Sequence, residues 1–164
     1  MISKDDMTAP FIKPLSECPE FIDTCASWSY GEWGSQTKGA KLEDIIERYK
    51  NVACQTGFRQ TWVAVIDGKP AGMISLTDLD HPDRKDLSPW LASLFVHPSF
   101  RGNGLAKKLA DELEQDAQRR GIKTLYLYTP TAEKLYARWG YQKMEDLRDP
   151  TGLLDNVSLM NKQM

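Results

Sequence analysis

Apolar residues along the chain switch between two spacings, and the switches mark the elements. Leu42, Ile45, Ile46, Tyr49, Val52 and Ala53 recur at the helical interval and predict an amphipathic helix ending near Gly57. Residues 19–29 carry Phe21, Ile22, Cys25, Ala26 and Trp28 at similar spacing, with proline at the start. The longest periodic stretch runs over 105–120, with Leu105, Ala106, Leu109, Ala110, Leu113 and Ala117 on one face and Gly121 as its stop. Strand signals fill the space between. Residues 60–66 (QTWVAVI) are β-rich, Asp67-Gly68 is a hairpin turn and residues 71–76 form the return strand. Residues 90–96 are almost continuously apolar, as in a buried central strand, and 123–129 (KTLYLYT) alternate. A short helix is expected over 131–139, stopped by Gly140, with last strands at 141–144 and 157–161. Residues 9–14 read as an edge strand bracketed by prolines, and 29–39 and 77–89 as loops. The order predicts a mixed α/β (α+β) three-layer fold, in one domain spanning residues 1–164.

Composition narrows the classes. The chain has 164 residues, 41% hydrophobic and 27% charged, with 21 basic against 23 acidic residues and a net charge of −2. That balance offers no electrostatic footprint for nucleic acid. Residues 1–10 (MISKDDMTAP) contain no apolar signal core, and no window reaches the length of a membrane span. Three cysteines without metal-ligand spacing (Cys18, Cys25 and Cys54) read as reduced thiols, hence a cytoplasmic protein with no metal.

The chemistry concentrates after the central strand. His97-Pro98-Ser99-Phe100 turns the chain into Arg101-Gly102-Asn103-Gly104-Leu105-Ala106, which opens the long helix. A strand, a glycine loop and a helix N-terminus form an anion site, because free N–H groups and the helix dipole both favour negative charge. The Walker pattern GxxxxGK[ST] is absent, and Lys107 stands where a dinucleotide loop needs its third glycine. The pattern [Q/R]-x-x-G-x-[G/A] is met by Arg101, Gly104 and Ala106, after a turn carrying Val96 and Pro98.

With Leu135-Tyr136-Ala137-Arg138-Trp139-Gly140-Tyr141 as a second marker, and matching element order, the chain resembles the GNAT superfamily of acyl-CoA-dependent N-acetyltransferases. The resemblance implies a central, largely antiparallel sheet of six or seven strands, flanked by about four helices and splayed at the cofactor site. It implies acetyl-CoA as co-substrate, held by backbone groups of Leu94, Phe95 and Val96 and by the loop of Arg101, Gly102, Asn103, Gly104, Leu105, Ala106 and Lys107, with Lys108 adding charge. Thr129 stands where the family often has Asn. Tyr136 takes the family's tyrosine position, as general acid for the departing thiolate.

The reaction so implied is direct acetyl transfer to a primary amine. At neutral pH only roughly one alkylamine in a thousand is unprotonated, so the site needs a proton acceptor. The central strand carries no carboxylate; Asp78, Asp80 and His81 in the preceding loop are alternatives, whereas His97 reads as a turn residue. Trp33, with Glu32 beside it, and Trp90 are candidates for an aromatic and ionic acceptor wall, together with Asp78 and Asp80. Trp28, also aromatic, lies on a helix face and reads as packing. The expected acceptor is a small-molecule amine. A protein N-terminus or lysine, and a non-catalytic acyl-CoA sensor, remain alternatives. An exposed last strand at 157–161 makes a homodimer an expectation.

Overall fold

The computed structural model describes residues 8–54 and 57–164. The polar start read above for a signal segment lies largely in residues 1–7, outside the described residues. Seven strands form one sheet in the order β1-β2-β3-β4-β5-β7-β6. β1 (Phe11–Pro14) is an edge strand, β2 (Gln60–Ile66) and β3 (Lys69–Thr77) are the predicted hairpin, and β4 (Trp90–Val96) is central. β5 (Thr124–Thr129), β6 (Gln142–Arg148) and β7 (Asn156–Gln163) complete the sheet. All neighbours are antiparallel except β4 and β5.

Helices cover both faces, as three-layer packing requires. α1 (Ile22–Glu32) and α2 (Leu42–Cys54) bury Cys25, Ala26, Ile45 and Tyr49 against Val63, Val65 and Met73. On the other face α3 (Leu105–Arg119) buries Leu105, Leu109, Ala110, Leu113 and Ala117 against Ile74, Leu91, Leu125 and Leu127. The short α4 (Glu133–Arg138) adds Tyr136 to that same core. The expected fold class therefore holds, with seven strands and four helices.

Three boundaries depart from expectation. α1 continues through Tyr30, Gly31 and Glu32, which read as loop; the Trp33 N–H closes the last turn on the Ser29 carbonyl at 3.0 Å. β6 runs four residues beyond 144, although nearly every position is exposed. Its register with β7 supplies the strand bonds that its side-chain pattern does not announce. β7 lies between β5 and β6, so the sheet's edge is β6 and the expected free last strand does not exist. The reason given above for a homodimer falls with it.

Candidate active site

β4 and β5 meet at one point, Trp90 opposite Tyr126, where the Tyr126 N–H donates to the Pro89 carbonyl at 3.1 Å. Beyond it no residue pair joins the two strands, so the sheet opens at its centre. A bulge adds to the opening. Ser75 pairs with Ala92 and Met73 with Phe95, so Ile74 alone faces both Ser93 and Leu94. Ser93 has a φ of 53°, in the left-handed region that side chains other than Gly seldom adopt. Such a bulge takes backbone groups out of the ladder and turns them towards the gap.

The glycine loop closes one end of this opening. Gly102 and Gly104 hold φ of 81° and 74°, which glycine alone adopts without cost. Asn103 Nδ2 donates to the carbonyls of Phe100 and Arg101 at 3.1 and 3.3 Å, drawing those acceptors inward. Gly104 caps α3 without a side chain, and the first helical bond runs from the Lys108 N–H to the Gly104 carbonyl. The N–H groups of Leu105, Ala106 and Lys107 therefore have no partner inside the helix. A cleft of about 470 Å³ lies beside the loop, between its residues 102–105 with Lys108 on one side and residues 8–10 with Ile66 at the end of β2 on the other. Free amides, a helix N-terminus and one lysine fit a pyrophosphate.

Two basic residues assigned to the loop are otherwise engaged. Arg101 folds back, its Nε donating to the Val96 carbonyl at 2.9 Å and its guanidinium 5.8 Å from the Phe95 ring. Lys107 pairs with Asp111 one turn along α3. His97 accepts the Ser99 N–H at Nδ1 and caps the turn, as its position suggested. Leu105 is buried, so its contribution to the cleft is its amide.

Tyr136 sits on the α3 face beside the gap, edge-on to Trp139 and Tyr141 at 5.4 and 5.8 Å. Burial pushes its phenol up to about 12, and among the described residues its hydroxyl has no hydrogen-bond partner. Thr129, at the end of β5, is buried and spends its oxygen on the Ala132 N–H at 2.9 Å, fixing the turn into α4.

The acidic loop before β4 is tied down residue by residue. Arg59 Nε donates to Asp78 at 2.7 Å and holds its carboxyl below the usual range. Arg148 grips Asp83 through two nitrogens at 2.6 and 2.9 Å. Arg84 does the same for Asp86, at 2.9 Å twice, and also pairs with Glu145. His81 is fully buried: Nδ1 accepts the Asp83 N–H at 3.1 Å and Nε2–H donates to the Arg148 carbonyl at 3.0 Å. With both nitrogens spent, His81 is a strut and no proton acceptor, which removes one alternative raised by the sequence.

Asp80 is different. It is half-buried, has no hydrogen-bond or ion-pair partner among the described residues, and burial raises its carboxyl to about 7 against the opposing charge of Arg48. Its charge, after burial, helps to raise the Tyr128 phenol. Tyr128 points away from Leu127 and Thr129, towards the α1–α2 face, and is held edge-on by His81 at 5.0 Å and Trp90 at 6.3 Å.

The expected aromatic wall is redistributed. Trp90 is fully buried, its Nε1 donating to the Leu87 carbonyl at 2.8 Å; it belongs to the core and does not face an acceptor. Trp33 packs half-buried against the α1–α2 core and Glu32 is exposed on the last turn of α1. Trp28 lies over Phe95 at 5.1 Å. The sequence reading passed over Tyr128 and Arg48, although the alternation of 123–129 already put Tyr126 and Tyr128 on one side of the strand.

Comparison with known proteins agrees with this geometry. The Acetyltransferase (GNAT) family profile matches residues 22–141. Acetyltransferase Atu2258 of Agrobacterium fabrum is 39% identical over 56 residues, 33% of this chain and 41% of that protein's length. Among solved structures, an aminoglycoside 6'-N-acetyltransferase complexed with coenzyme A superposes with a TM-score of 0.74 at 17% identity, covering 93% of this chain and 96% of that one. The Enterococcus faecium aminoglycoside 6'-N-acetyltransferase gives 0.71 at 18%, over 93% and 96%. PaiA N-acetyltransferase of Thermoplasma acidophilum, in complex with coenzyme A, gives 0.66 at 20%, over 96% and 100%. At these identities the structural likeness speaks for the fold alone, but the profile spans both markers and the sheet between them, and the chain belongs to the GNAT acetyltransferase family.

Proposed function

We propose that the protein is an N-acetyltransferase that moves the acetyl group of acetyl-CoA directly to the primary amine of a small molecule. The observation that carries this reading is the opening between β4 and β5, with an anion-binding helix N-terminus at one end and Tyr136 at its side. Acetyl-CoA supplies an acetyl thioester. The loop amides from Gly102 to Lys107, with Lys108, bind its pyrophosphate, and the strand groups freed at Leu94, Phe95 and Val96 orient its arm.

Tyr136 holds the proton for the departing sulfur. Its raised phenol stays neutral over the whole working range, and the apolar surroundings that raise it also destabilise a bare thiolate beside it. The amides turned out of the ladder at the Ser93 bulge are the donors for the developing oxyanion. A small acceptor is favoured by the two loops on the acceptor side. Residues 78–89 and the β6–β7 hairpin are stitched by the Arg148–Asp83 and Arg84–Glu145 pairs, which narrows any groove for a polypeptide. The solved relatives named for aminoglycosides support the same class. A cytoplasmic site of action is supported by three free thiols, whereas a homodimer is left with the β1 and β6 edges as its strand-pairing surfaces.

The test is thiol release from acetyl-CoA with a panel of amines that includes aminoglycosides, polyamines, and peptides with free N-termini or lysines. Turnover confined to small amines is expected. Turnover confined to peptides would overturn the acceptor assignment, and none with any amine would overturn the enzyme.

A further inference from the structure

We infer that Asp80 is the catalytic residue that takes the proton from the acceptor amine, and that Tyr128 walls the acceptor beside it. The inference rests on the acetyl transfer proposed above and adds the residue that the sequence could not choose. Asp78, Asp83 and Asp86 are each held by an arginine. Glu145 is taken by Arg84, and Glu114 by Lys162 and the Tyr141 hydroxyl. Asp149 accepts the Thr151 and Leu154 N–H groups, which fix the β6–β7 loop. Among the described residues of these two loops, Asp80 is the one partly buried carboxyl left without a partner; Asp155, also unpaired, is exposed.

Asp80 stands two residues after Asp78, tied to Arg59, and immediately before His81, bonded through both ring nitrogens. Two anchors on so short a segment hold the carboxyl in place without touching it. Its neighbour Tyr128 lies two residues beyond the one β4–β5 pairing, so its ring borders the gap from the α1–α2 face. Tyr136 belongs to the core on the opposite face of the same sheet. A thioester in the gap would thus have a proton acceptor on one side and a proton donor on the other.

The step balances. The acceptor ammonium gives one proton to an Asp80 oxygen, directly or through one water. The freed lone pair forms the C–N bond and the C–S bond breaks. Sulfur takes the Tyr136 proton, and the second amine proton returns to Tyr136 through solvent; Asp80 releases its proton to bulk. The charged or titratable groups facing Asp80 are Arg48 from α2, Tyr128 from β5, and Asp149 across Tyr128. The raised carboxyl suits a base working near neutrality.

The experiment compares wild type with Asp80→Asn and Asp80→Glu, using acetyl-CoA and the best amine from the panel. Wild-type kcat/KM should rise with pH through about 7 and then level. Asp80→Asn should lose about 100-fold and lack that limb. Asp80→Glu should regain part of the rate and show a limb. A second readout needs no turnover: in carbon-detected NMR of the free full-length chain, one Asp carboxyl should titrate near 7 and vanish in Asp80→Asn. An Asp80→Asn enzyme with the wild-type rate and limb would overturn the assignment while leaving the acetyltransferase intact. So would the absence of any carboxyl titrating above pH 6. A wild type inert towards every amine would instead sink the proposed function, and this inference with it.

Discussion

Residues 97–106 and residues 78–89 flank the same strand, β4, one after it and one before it, and they keep their shape by different means. The later segment is self-contained. His97 binds Ser99, Asn103 binds Phe100 and Arg101, and Arg101 returns to Val96, all within five residues. The earlier segment is held from far away, by Arg59 just before β2, by Arg148 at the end of β6 and by Glu145 within it. In the proposed reading, a loop shaped by backbone and local caps serves the phosphate group that every acetyl-CoA molecule carries. A site built from long-range side-chain ties can change its ligand whenever one of the distant elements changes.

The largest expected effect tests whether chemistry stays separate from cofactor binding on the first side. Tyr136→Phe removes one oxygen from a residue packed by its ring, so the fold and the glycine loop should stand. Turnover should fall about 100-fold, the usual worth of a placed general acid. The dissociation constant for acetyl-CoA, measured by calorimetry, should not move. A loss of binding equal to the loss of turnover would mean that Tyr136 belongs to the cofactor cradle.

Next comes the backbone itself. Gly104→Val forces a β-branched side chain onto a φ of 74°, at a cost of about 1–2 kcal/mol. No neighbour lies within 4 Å of the added Cβ, so at that atom the cost is conformational and not a clash. If the strain is relieved by moving the loop, acetyl-CoA affinity should fall about tenfold, since ~1.4 kcal/mol is a factor of ten. Calorimetry that finds the same affinity would show that amide orientation at residue 104 does not matter to the anion.

This contrast also explains what could be read from the sequence. The loop from Arg101 to Ala106 announces itself because its backbone takes positive φ at two fixed places, which calls for glycine, and glycines are visible as a pattern. The β2–β3 hairpin and α3 were legible for the same reason: one period and one turn specify each. The acceptor side was not. Nothing near Asp80 in the chain says that Asp78, Asp83 and Asp86 would find arginines and that Asp80 would not. Trp90 read as a candidate wall because its burial depends on Tyr126 and Tyr128, which arrive from β5. β6 was legible only at its start, over 141–144, because an edge strand with polar side chains carries no alternation to mark where it ends.

Arg148→Ala should separate the two sides more gently. It removes both nitrogens from Asp83, an exposed ion pair that adds little to stability. The His81 bond to the Arg148 carbonyl is a backbone contact and remains. Loosening the 78–89 loop should raise the acceptor KM about threefold and leave the acetyl-CoA KM unchanged. Equal changes in both would show that the two segments do not act independently across β4.

The smallest effect is a pH dependence of stability carried by Asp80. Its folded carboxyl titrates at about 7, above the ~3.9 of an unfolded aspartate. Between those values the folded chain holds a proton that the unfolded chain has released, so this group's contribution to stability falls as pH rises through 7. Its stabilising share is complete below about pH 4 and gone above the folded value. Asn is neutral throughout, so the difference in urea midpoint between wild type and Asp80→Asn isolates the group. Wild type should lose ground to Asp80→Asn between pH 5.5 and 8.5. The opposite slope would mean that Arg48 outweighs burial and that Asp80 is an ion-pair partner, which would make the acceptor side as fully tied as its other carboxylates.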